Sequence, residues 1–165
     1  MGALLHLKGI VLAGLRQAQK LIALGGDERI DLQFRIMTPE GDFWIPVALA
    51  ADPDEAATQW MQISKFMVWK KASVFTLACE LADPGAVYCF GAMHSGKAAA
   101  LSAADRDPLH FGAPEWLDPE EVSEEIFALL PPPGAVLDAA DIVELDAYFG
   151  ANGLCPAMPL GQSAS

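Results

Sequence analysis

The sequence predicts an α+β fold: a single antiparallel sheet of about five strands packed with helices in two or three layers. Three observations carry this. Apolar residues recur at three- and four-residue spacing in two long segments, other segments alternate strictly between apolar and polar, and the alternating segments are joined by turns too short for parallel crossovers. The 165 residues, 53% hydrophobic and 19% charged, suit one domain over 1–150, followed by an extended, partly mobile tail over 151–165.

At the start, Leu4, Leu7, Val11, Leu15, Ala18 and Ile22 form one stripe, with His6, Arg16, Gln17 and Lys20 opposite. The spacing predicts an amphipathic helix, stopped by Gly25 and Gly26. Ile30, Leu32, Phe34 and Ile36 then alternate with polar neighbours, and after Thr38-Pro39-Glu40-Gly41 a second alternation aligns Phe43, Ile45, Val47 and Leu49. This is a β-hairpin, whose second strand belongs at an edge because Pro46 lacks a backbone donor.

Asp52-Pro53-Asp54-Glu55 supplies an N-cap, a first-turn proline and a capping-box glutamate, so a helix is expected from about Pro53 to Lys71. Phe66 and Trp69 fall among Gln62 and Lys65 on the side that should meet water. Aromatics there need a cover, either this chain's C-terminal segment or another subunit, which makes Phe66 and Trp69 interface candidates. Ser73 to Leu81 and Val87 to Met93 read as a second hairpin around Pro84, and Ala98 to Ala103 as a fifth strand or a short helix. Residues 105–117 read as a loop. A second Asp-Pro-Glu-Glu cap at Asp118 opens a helix through about Leu130, and a last helix runs from Asp138 to Phe149. The order is similar to that of profilin-like, roadblock and GAF-type domains over residues 3–130, a likeness of topology alone. It implies that adaptors, ligand sensors and enzymes are all open to such a chain.

Charge narrows the partners. Twelve of the 22 acidic residues follow Ala104, where Arg106 is the only base, and the chain carries −12 overall. A potential of that sign repels phosphates, so nucleic acid and anionic membrane are not expected partners. The mean hydropathy is +0.28, yet no window holds the roughly 20 apolar residues of a bilayer span. Three cysteines, Cys79, Cys89 and Cys155, fit reduced thiols in a cytoplasmic protein better than a disulfide framework, and no secretory signal is apparent.

No motif for chemistry stands out. His94, Ser95 and Lys97 cluster at a turn without an orienting acid, and turn chemistry accounts for them. The set His94, Ser102 and Asp105 is similar in spacing to the metal-binding pattern of JAMM-type peptidases, but Gly96 stands where the second histidine belongs. No metal, cofactor or glycine-rich phosphate cradle is expected. Trp116, in a Pro/Gly-rich stretch, either pins that stretch to the body or lines a pocket mouth. The leading expectation is therefore a non-enzymatic interaction or regulatory module, self-associating, with an acidic C-terminal third offered to a basic protein partner. The alternative is a small-molecule site, catalytic or not, between the sheet and residues 105–117, lined by His94, His110 and Trp116.

Overall fold

The computed structural model describes residues 2–25, 30–81, 85–106, 108–132 and 134–151; the expected tail after Ala151 and the apex of the second hairpin at 82–84 lie outside them. Helix α1 (Gly2–Gly25) leads into β1 (Leu32–Thr38) and β2 (Gly41–Val47), helix α2 (Pro53–Trp69), and strands β3 (Val74–Leu81), β4 (Ala86–Met93) and β5 (Gly96–Arg106). Two short strands, β6 (Leu109–Phe111) and β7 (Glu115–Leu117), precede a 3-10 turn and helices α3 (Glu124–Phe127) and α4 (Ala139–Ala151).

All strands join one antiparallel sheet in the order β2-β1-β3-β4-β5-β6, with β7 also paired to β5. The expected architecture holds, with seven strands rather than five. The additional pair comes from the segment expected to be a loop. Without it the outer edge of β5 would present a row of unpaired amides and carbonyls, and the chain folds back to satisfy them. The alanine-rich run is strand, because Ala98 and Ala100 pack under α1 while Ala99 faces the opposite core, and only small side chains suit close burial on both faces.

Strand alternation builds two cores. Phe34, Ile36, Phe43, Ile45, Phe75 and Leu77 point to the α2–α4 side, whereas Val74, Ala78, Val87 and Cys89 point to α1 and meet Leu7, Val11, Leu15 and Ile22. The result is three layers, α1 on one face and α2, α3 and α4 on the other. Each fully buried large side chain contributes roughly 1.5–3 kcal/mol of transfer free energy.

Helix α2 begins as expected, with Asp52 Oδ2 accepting from the Glu55 amide at 3.1 Å. The helix expected over 118–130 does not form as one piece. Its Asp118 cap holds a single 3-10 turn, then Val122 takes extended dihedrals (φ −92, ψ 146), which breaks the helix and lets Val122, Phe127 and Leu129 all reach the core. Among the described residues, no helix is long and apolar enough to cross a membrane.

Candidate ligand groove

Helix α1 is seated off-centre. It packs mainly on β4 and β5 and reaches β3 at one edge, because two glycines allow close approach. A Cβ on Gly91 would lie 2.6 Å from Val11 Cγ2, and one on Gly14 would lie 2.8 Å from Cys89 Sγ. The α1-facing side of β1 and β2 is consequently left largely open.

That open shelf carries Gln33 and Arg35 from β1 and Asp42, Trp44 and Pro46 from β2, none of them fully buried. Cross-strand register sets Arg35 opposite Trp44 and Gln33 opposite Pro46. Polar groups on the shelf are held diagonally. Arg35 donates from Nε and Nη2 to Asp42 Oδ2 at 2.9 and 2.6 Å, and Trp44 Nε1 donates to Gln33 Oε1 at 2.6 Å. Gln33 in turn donates from Nε2 to the Asp31 carbonyl at 3.0 Å. These bonds fix the indole and guanidinium planes before any ligand arrives.

Between this shelf and α1 lies a cavity of about 410 Å³ lined by Ala13, Gly14, Arg16, Gln17, Lys20, Gln33, Phe34, Arg35, Trp44, Thr76 and Ala78. A second depression of about 590 Å³, lined by Leu21, Gly25, Ile30, Asp31 and Pro46, shares Gln17, Gln33 and Trp44 with it. The two form one groove alongside α1. Volumes in this range suit small ligands. The lining contains three bases and no acid at the first end, while Asp31 marks the other.

The two thiols of β3 and β4 are held in the protonated form. Burial pushes Cys89 up to about 12, reinforced by Cys79 and partly offset by a hydrogen bond with Thr76. Burial alone takes Cys79 to about 11. Ala78 pairs with Cys89 and Cys79 with Tyr88, so the two cysteines face opposite sides of the sheet and cannot bridge.

The residues singled out from sequence do not converge. His94 is exposed in the β4–β5 turn, donating from Nε2 to the Pro131 carbonyl at 3.0 Å, and it borders a cavity of about 340 Å³ with Lys71, Ser73 and Pro131. His110 sits exposed on β6 opposite Asp105, at the far end of the eleven-residue β5, roughly 35 Å along the strand at about 3.3 Å per residue. Trp116 pairs with Ala100 and turns toward α1, where Lys8 Nζ stands 4.9 Å from its ring centroid. Its side chain is 41% exposed and belongs to neither core. The expected pocket lined by these three is not assembled.

Phe66 is 1% exposed and is not a surface anchor. Its cover comes from the same chain, with Phe149 of α4 at 5.2 Å between ring centroids and Phe43 at 5.2 Å from the sheet. Trp69 is half-buried, edge-on to Phe66, with Lys70 Nζ 4.0 Å from its ring centroid. No group of three or more His, Cys, Asp or Glu side chains placed to hold a metal occurs among the described residues.

Sequence reasoning missed the groove. Each of its residues reads as an ordinary outward position of a helix or strand; the one available signal was the absence of any acid from α1 in so acidic a chain. Comparison with protein-family models, with curated proteins and with solved structures gives no match.

Proposed function

We propose that this chain is a non-enzymatic binding module whose ligand lodges in the groove between α1 and the β1–β2 face. The observation that carries this reading is the off-centre seating of α1, which leaves a preformed, concave shelf whose tryptophan and arginine are already held in place by Gln33 and Asp42. Such preorganised polar groups beside an apolar wall serve recognition. The groove's test is steric. Ala13 is exposed and lines the cavity, so Ala13→Trp fills it without disturbing either core. A thermal-shift screen should return small molecules that stabilise the wild type and lose that effect in Ala13→Trp. Hits that stabilise both proteins equally refute the groove.

A second reading concerns the opposite layer. Between Asp118 and Ala151 there are nine carboxylates and no base; Lys97 reaches Glu120 and Lys65 reaches Asp141. Glu121, Glu124, Glu125, Glu144 and Asp146 are exposed with no cation beside them among the described residues. This surface supports docking of a basic protein segment. Binding of an oligolysine peptide that weakens steeply between low and physiological salt, and is reduced by Glu124→Gln with Glu125→Gln, is the expected result; salt-independent binding refutes it.

A further inference from the structure

We infer that the groove takes an elongated amphipathic carboxylate, its charged head at the Arg16, Lys20 and Arg35 end and its apolar body lying over Trp44 toward Leu21 and Ile30. The inference rests on the groove reading above and adds the chemistry of the occupant. Charge selects the head. Helix α1 carries no acid, and neither Arg16 nor Lys20 has an ion-pair partner among the described residues. Arg35 directs both its bonds to one oxygen of Asp42, leaving Nη1 without a hydrogen bond among the described residues. A carboxylate placed there meets two unpaired cations, Arg16 and Lys20, and the open Nη1 of Arg35, whose charge Asp42 already balances, in a chain whose net charge is −12. The planar guanidinium suits a carboxylate's two oxygens.

Shape selects the body. The two depressions are continuous through Gln17, Gln33 and Trp44 and follow α1 from Ala13 to Gly25, roughly 18 Å at about 1.5 Å per residue. A compact anion would fill only one end. The far end offers Leu21, Ile30 and Pro46 for apolar contact, and Asp31 there repels a second negative group. The polarity of the groove therefore sets the direction in which such a ligand lies.

The test is isothermal titration of the full chain with decanoate, decanol and inorganic phosphate, each kept below aggregation. Decanoate should bind one to one, decanol at least about tenfold more weakly, and phosphate should not compete. Arg16→Gln combined with Lys20→Gln, both exposed positions whose folding is checked by circular dichroism, should weaken decanoate about tenfold. Ala13→Trp should abolish it. Equal binding of decanol, equal competition by phosphate, unchanged affinity in the double variant, or no binding of decanoate overturns the ligand assignment. The groove itself still stands in those cases if Ala13→Trp removes the thermal-shift hits. Decanoate bound equally by Ala13→Trp overturns both.

Discussion

Gly14 of α1 lies against Cys89 of β4 so closely that a Cβ on the glycine would stand 2.8 Å from the cysteine Sγ and 3.4 Å from Thr76 Oγ1. This contact sets how low the helix rides on the sheet and hence the depth of the groove beside it. Gly14→Ala should push α1 outward and cost about 1–3 kcal/mol, the usual penalty for overpacking. Urea denaturation reads the loss. Pairing Gly14→Ala with Cys89→Ala makes room for the added methyl, and the double variant should lose less than the sum of its parts; strict additivity would disconnect the two residues.

Burial of the two thiols couples stability to alkaline pH. Both folded values, about 12 for Cys89 and about 11 for Cys79, lie above the ordinary 9.0. The unfolded chain therefore releases these protons first. Their contribution is complete below pH 9 and declines as pH rises toward the folded values, by at most about 1.4 kcal/mol per pH unit for each thiol. Unfolding free energies at pH 8 and pH 10 should differ less in a Cys79→Ala, Cys89→Ala variant than in the parent. In a Cys155→Ala background, native protein should also resist thiol reagents at neutral pH.

Helix α4 is anchored by Leu145 and Phe149, 0% and 2% exposed, with Phe149 against Phe66. Phe149→Ala should cost about 3–5 kcal/mol and release the helix, uncovering the aromatic face of α2. Uptake of a hydrophobic dye by the folded variant, with a shift to larger species in sedimentation, is the expected signature. An unchanged sedimentation profile and no dye uptake would show that α4 stays docked by other means.

Pro46 guards the free edge of the sheet. Because proline cannot donate, its pair with Gln33 lies at a non-hydrogen-bonded site, and residues 42, 44 and 46 turn their backbone groups outward from β2. The missing amide interrupts that outward row and blunts strand addition by another chain. Pro46→Thr restores the donor and should raise the tendency to self-associate with concentration, read by sedimentation against the wild type. Equal association of the two proteins would remove the guarding role.

Much of this architecture was legible from residue spacing, and the departures have physical causes. The two long helices and both hairpins follow from period and cap chemistry, which act over a few residues. Pro108, Gly112 and Pro114 made 105–117 read as loop, but the unpaired edge of β5 imposed β6 and β7 from a distance. Phe66 read as exposed because a helix packed on one layer needs one stripe, whereas α2 is covered by the sheet on one side and by Phe149 on another. His94, His110 and Trp116 were grouped by residue type, and the length of β5 separates them.

By itself the sequence determined the α+β class, the antiparallel pairing, the caps of α2 and the concentration of acid after Ala104, because alternation, turn length and local hydrogen bonding are properties of neighbouring residues. Only the tertiary structure decided where α1 rests, which side chains of β1 and β2 it leaves open, and that Arg16, Lys20 and Arg35 share a groove with Trp44. Those outcomes depend on Gly14 and Gly91 meeting side chains from other elements, Cys89 and Val11, a fit between surfaces that no local pattern encodes.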